Sequence, residues 1–185
     1  LRLRPVLSEA DKIKFIYNGT PLESNDLKKK HEINLREILD IGDNPFCLML
    51  ATYELRKGYE FIFNVFNKIN SHNKNIHLVV CGDSTLKEKN KVISLRERIA
   101  PNCNIHLLDF IQNGKNLIQQ ADVLVVPSQE WESFGWTVIE SMARGVPVVA
   151  TNSGGLAEVI GRNGESGFSI DTHDVDSFAM AIASF

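Results

Sequence analysis

Between residues 46 and 185, short apolar runs alternate with stretches patterned at the helical period, and few folds accept that order. The runs lie at residues 46–51, 76–81, 105–108, 122–126, 146–150 and 167–170. Each is nearly continuously apolar, as a strand buried on both faces of a parallel sheet must be. Between the first two, Phe61, Ile62, Val65, Phe66 and Ile69 form one helical stripe over residues 59–69. Further helices are predicted over residues 86–99, 115–120, 135–145, 156–160 and 174–185, the last capped by Asp174 or Thr172. Alternation at this spacing predicts a doubly wound, mainly parallel, Rossmann-like α/β sheet with helices on both faces.

Residues 1–45 read differently, as an opening strand and linker segment packed on the domain at 46–185. An apolar piece at 13–17 runs into the turn residues Asn18-Gly19-Thr20-Pro21. The Lys28-Lys29-Lys30 triplet reads as a solvated face, and Leu35, Ile38 and Leu39 predict a helix near 32–40.

The stretch after the fourth run carries the functional signal. Pro127 and Ser128 end the strand, a polar loop with Glu130 and Glu132 follows, and Phe134-Gly135 opens a helix. That sets a helix start beyond the carboxyl end of a central strand, where open α/β sheets bind ligands. Unpaired N–H groups there suit phosphate. Glu132 and Glu140, eight positions apart, suit something else: a carboxylate accepts paired hydrogen bonds from neighbouring sugar hydroxyls. A diphosphate between two sugars, a nucleotide-sugar, satisfies both. The competing reading makes Thr137-x-x-Glu140 a capping box and Glu132 a solvated loop carboxylate. Spacing alone leaves the two balanced.

Arg56 and Lys57 precede Gly58 at the end of the first strand, on the same predicted sheet edge. Cations are slightly unfavourable at a helix start, which favours a role in neutralising a diphosphate over an exposed basic pair. Gly154-Gly155 either brings backbone amides to a ligand or only forms a turn. Phe110-Ile111 either flanks a nucleobase or joins the core.

Other chemistries are disfavoured. Neither GxGxxG nor GxxxxGK[ST] occurs, and Asp174-Val175-Asp176 reads as the acidic first turn of a helix, not a metal site. Cys47, Cys81 and Cys103 lack CxxC spacing and read as reduced thiols, and the five histidines lack ligand spacing. A net charge of −3 gives no basis for a nucleic-acid partner. No apolar run approaches the ~20 residues that span a bilayer, and Leu1-Arg2-Leu3-Arg4 is followed by no signal-peptide core. The expectation is a cytoplasmic piece of a larger protein.

The run from Glu132 to Glu158 (E-S-F-G-W-T-V-I-E-S-M-A-R-G-V-P-V-V-A-T-N-S-G-G-L-A-E) resembles the E-x7-E block of the retaining GT-B glycosyltransferases, family GT4, glycosyl transferase group 1. Asn18-Gly19, Lys57-Gly58, Val80-Cys81-Gly82, Ala121-Asp122, Pro127-Ser128 and residues 164–168 extend the resemblance over nearly the whole chain. It corresponds to the carboxyl-terminal, donor-binding half of that fold. The resemblance implies that Glu140 binds ribose, Glu132 binds the transferred sugar, and backbone amides near Phe134, Gly135 and Trp136 meet sugar and diphosphate. Thr137, Gly82 and Ile111 join the implied donor-binding set. Lys57 would stabilise the leaving nucleoside diphosphate, with no metal and no cofactor. Acceptor binding, and peripheral contact with the inner face of a membrane, would fall to a missing amino-terminal domain, leaving this piece inactive alone. By family the product is a polysaccharide or lipopolysaccharide.

One departure stands out. Many members carry Gly-Arg where this chain has Ala51-Thr52, so Arg56 is expected to supply the missing charge. The same departure motivates an alternative, a non-catalytic nucleotide or nucleotide-sugar binding module with this fold. A receiver-like or nucleotide-only α/β domain would explain the alternation but not two glutamates flanking a Phe-Gly loop.

Overall fold

A computed structural model describes residues 16, 18–20, 33–72 and 75–185. The predicted strand at 13–17 and the lysine triplet lie outside the described residues, apart from Ile16. Six strands form one sheet: β1 (Phe46–Leu50), β2 (His77–Cys81), β3 (Ile105–Leu108), β4 (Val123–Val126), β5 (Val148–Thr151) and β6 (Gly167–Ile170). All neighbours pair in parallel, in the order β3-β2-β1-β4-β5-β6. The helices are α1 (Leu35–Ile38), α2 (Tyr59–His72), α3 (Leu86–Ile99), α4 (Trp136–Met142), α5 (Leu156–Ile160) and α6 (Val175–Ala183). Two 3₁₀ turns, Leu55–Lys57 and Gly114–Gln120, complete the connections.

Strand alternation sorts the core into two layers, because successive side chains leave opposite faces. Cys47, Met49, Leu78, Val80, Val123 and Val125 pack on one face with Phe61, Phe66, Val92 and Phe178 from α2, α3 and α6. Phe46, Leu48, Val79, Leu124 and Val148 pack on the other with Leu35, Ile118, Val138 and Leu156 from α1, the second 3₁₀ turn, α4 and α5. All three cysteines are buried and unbridged. Residues 33–44 are tied to the domain: the Leu35 amide donates to Gln120 Oε1 at 2.8 Å, and Arg36 pairs with Asp122 at 3.2 Å.

Three local details differ from the sequence reading. β5 begins at Val148, two residues later than predicted, because Pro147 has no N–H for the ladder. The predicted helix at 115–120 is a 3₁₀ turn. The capping box at Thr137 is overturned: Gly135, with φ +80°, is the N-cap of α4, so Thr137 is already the second helical residue. A capping box does occur, but on α3. The Glu88 amide donates to Thr85 Oγ1 at 3.3 Å, and the Thr85 amide to Glu88 Oε2 at 3.1 Å.

At the sheet edge, His77 and His106 stack with ring centroids 5.2 Å apart, Nδ1 of one 2.9 Å from Nε2 of the other. Burial holds both imidazoles below their usual range; Arg36 adds to this at His77, and His77 and Arg96 at His106. A lowered folded-state pKa means stability is complete above the ordinary imidazole value of 6.5 and is lost as pH falls through the folded value. The thermal midpoint is therefore expected to drop as the pH falls below 6.5, and to drop less in His106→Asn. Equal slopes in the two proteins would refute this origin.

Candidate functional site

The chain runs outward along the sheet through β1, β2 and β3, then returns to lay β4 beside β1. That reversal leaves a crevice between the carboxyl ends of β1 and β4, because their following segments go to opposite faces. A cavity of about 220 Å³ lies there. Met49, Leu50 and Val125 form its floor, and Lys57, Glu132, Gly135, Trp136 and Thr137 reach it from above. Ligand sites usually enclose ~300–1,000 Å³, so the crevice by itself is smaller than a typical ligand site. A larger open groove of about 910 Å³ along α3, from Leu86 to Arg98, contains none of these groups.

Two loops meet above the crevice, and their backbones are joined. Gly58, in the left-handed region at φ +85°, lies against the end of β4: a Cβ there would sit 1.8 Å from the Pro127 carbonyl oxygen. The Gln129 amide donates to the Arg56 carbonyl at 3.1 Å. This brings Lys57 and Glu132 together, with Nζ 2.7 Å from Oε2 and the side chains only 18% and 19% exposed.

The acidic loop is also stitched to the end of β5. Thr151 Oγ1 donates to the Ser128 carbonyl, Ser153 Oγ to the Glu130 carbonyl, and the Gly155 amide to the Glu132 carbonyl at 2.8 Å. A Cβ on Gly154 would lie 2.1 Å from that same Glu132 oxygen. The Gly154-Gly155 pair thus holds the loop that carries Glu132, and the Gly155 amide is engaged by that loop. Thr151 and Ser153 were not singled out from sequence; the polar T-x-S ending an apolar strand was the available signal.

Of the predicted residues, the crevice gathers Lys57, Glu132, Gly135, Trp136 and Thr137. Among the described residues, the Trp136 and Thr137 amides take no intrahelical partner, as expected in a first turn. Phe134 packs edge-on against Trp136 at 5.6 Å. Glu140 is half-buried on the second turn of α4 and does not line the crevice. Arg56 turns to Glu54 at 2.6 Å instead of into the crevice; that hydrogen bond, then Thr52, holds the Glu54 carboxyl below its usual range. Gly82 is a packing position, where a Cβ would lie 1.8 Å from the Ala51 carbonyl oxygen. Ile111 packs at the margin of the second core layer, and Phe110 beside it is exposed.

Among the described residues, no three His, Cys, Asp or Glu side chains gather as a metal site. Asp174 accepts the Ser177 amide at 2.9 Å as the cap of α6, and Asp176 pairs with Lys68. Among the same residues, no helix is long and apolar enough to cross a membrane.

Known proteins share this fold. The profile described as "Glycosyl transferases group 1" matches residues 31–185. An uncharacterised glycosyltransferase of Methanocaldococcus jannaschii is 30% identical over 177 residues, 93% of this chain and 44% of that protein. The lipopolysaccharide 1,2-N-acetylglucosaminetransferase of Salmonella typhimurium is 28% identical over 156 residues, 80% of this chain and 40% of that protein. The chain therefore spans less than half the length of these curated relatives. Among solved structures, a glycosyltransferase of Rickettsia africae superposes with a TM-score of 0.80 at 24% identity, covering 95% of this chain and 47% of that one. Anabaena HepE, solved in complex with UDP-glucose, superposes with a TM-score of 0.78 at 21% identity, covering 98% and 50%.

Proposed function

Because the chain belongs to the glycosyl transferases group 1 family, we propose that it forms the donor-binding half of a retaining, metal-independent GT4 glycosyltransferase. The observation that carries this reading is the meeting of Lys57 and Glu132 over the β1–β4 crevice. A cation and a carboxylate side by side, beside the first-turn amides of Trp136 and Thr137, suit a ligand that is anionic in one part and hydroxylated in the next.

In this reading Lys57 meets the diphosphate and stabilises the negative charge that builds on the departing nucleoside diphosphate. Glu132 accepts hydroxyls of the transferred sugar, and Glu140 those of the ribose, along the rim beyond the crevice. The lysine and the helix start provide the positive charge that a divalent metal would otherwise supply. Arg56 can join only by leaving Glu54. Uridine is the first nucleotide to try, since HepE was solved with UDP-glucose. Acceptors in lipopolysaccharide or a related polysaccharide follow from the name of the Salmonella relative. A further domain of the longer protein would hold that acceptor, at the cytoplasmic face of a membrane.

Calorimetric titration with UDP-, GDP- and ADP-sugars tests the reading. Binding of one of them is expected, undiminished by EDTA; no heat from any at millimolar ligand would defeat it. Ala51 and Thr52, with Arg56 engaged by Glu54, favour the second reading, a binding module without turnover. In that case Lys57→Ala and Glu132→Ala in the full-length protein would leave cellular glycan unchanged.

A further inference from the structure

We infer that the Lys57–Glu132 ion pair is an exchange latch that favours a sugar-bearing donor over the bare nucleoside diphosphate left after transfer. The inference rests on the donor-binding reading above and adds a specificity to it.

The pair is not an incidental surface contact. Its partners lie 75 residues apart, at 2.7 Å, and each is about four-fifths buried. The two backbones beneath it are pinned by the Gly58–Pro127 approach, the Gln129–Arg56 hydrogen bond and the Gly155–Glu132 hydrogen bond. Arg56, next to Lys57 in the chain, is also engaged by an acid, Glu54 at 2.6 Å. A diphosphate arriving at this rim finds each of these cations already holding an acid.

An ammonium has three donors, so Lys57 has room for both a carboxylate and a phosphate oxygen. Its single charge, however, cannot balance both. Phosphate binding therefore loosens Glu132 and leaves a largely buried carboxylate short of partners, which is costly. A donor sugar removes that cost by offering hydroxyls to Glu132. A bare nucleoside diphosphate offers none there, so Glu132 returns to Lys57 and weakens the product's hold. The latch thus admits the donor and helps to release the product.

The test compares UDP and UDP-glucose, or whichever of the GDP and ADP pairs binds better, on the wild-type protein, Glu132→Gln and Glu130→Gln. Glu130 lies in the same loop but makes no ion pair with Lys57 among the described residues. Releasing Lys57 in Glu132→Gln is expected to tighten the bare nucleoside diphosphate about fivefold, the upper end of what a single ion pair contributes near a surface. The sugar-bearing donor should gain less or lose affinity, so the preference for it collapses. Glu130→Gln should change either ligand by less than about twofold, the effect of one exposed, screened charge. Should the glutamine variant not fold, Glu132→Asp draws the carboxylate back by one methylene and reads the same exchange with a smaller gain.

Unchanged or weaker nucleoside diphosphate binding in Glu132→Gln would overturn the latch while leaving the donor site standing. Equal tightening in Glu130→Gln would assign the effect to the general field and overturn it too. A wild-type protein that binds neither ligand would remove the donor reading, and the latch with it.

Discussion

Lys57→Ala is expected to lower kcat/KM of the full-length enzyme by about a hundred- to a thousandfold, the usual loss when one donor aimed at developing charge is removed. Two effects add. The variant removes the cation that reaches into the crevice, and it leaves the largely buried Glu132 carboxylate unpaired beside the phosphate position. Arg56→Ala provides the contrast. Arg56 is more exposed, sits outside the crevice and is already engaged by Glu54 at 2.6 Å. Its loss should cost less than about tenfold, in keeping with an exposed, screened ion pair. Steady-state kinetics on both variants decide the matter: comparable losses would move the diphosphate contact to Arg56 and undo the role given to Lys57.

The second large effect is on stability. Gly58→Ala would place a Cβ 1.8 Å from the Pro127 carbonyl oxygen and 2.7 Å from its carbon, in a backbone held at φ +85°. The left-handed conformation costs a non-glycine residue ~1–2 kcal/mol, and the overlap with main chain adds ~1–3 kcal/mol. The sum, about 2–5 kcal/mol, should lower the thermal midpoint by ~5–15 °C in a chain of this size. Gly145→Ala is the control: it is the left-handed glycine that ends α4, at φ +70°, with its amide bonded to the Met142 carbonyl and the Val146 amide to the Ser141 carbonyl, but nothing lies within 4 Å of the added carbon. It should show only the conformational part, ~1–2 kcal/mol. Equal destabilisation by the two variants would mean that the Gly58–Pro127 contact is not tight. The contact matters beyond stability because it sets the distance between the turn carrying Lys57 and the loop carrying Glu132.

Much of the scaffold was legible from periodicity. The bounds of α3, β3, α5 and β6 coincide with the apolar runs and stripes that announced them. Where reading and structure part, one residue usually explains it. Pro147 delays β5. Gly135 takes the cap position that Thr137 was offered, because its glycine backbone reaches φ +80° as the chain turns into α4. The Thr85–Glu88 capping box is written locally, as T-x-x-E ahead of a helical stripe.

The candidate site was legible in parts. Lys57 and Glu132 carry local signals, a cation at a strand end and an acid in a loop before a helix. Their mutual contact has no local signature, nor has the stitching of the acidic loop by Thr151, Ser153 and Gly155. Arg56 and Lys57 are adjacent and similar in sequence, yet one faces Glu54 and the other the crevice.

By itself, the sequence determined which segments become strands and helices and which side chains share a face. Those properties depend on neighbours two to four positions away, and the pattern records them directly. Only the tertiary structure decided that β1 lies against β4, with Cys47 opposite Val123 and Leu48 opposite Leu124. That pairing joins distant segments, and so sets the lysine against a glutamate 75 positions further along, over one crevice. The physical reason is that long-range adjacency follows from packing two hydrophobic layers across a single sheet, a condition on the whole chain that no local stretch carries.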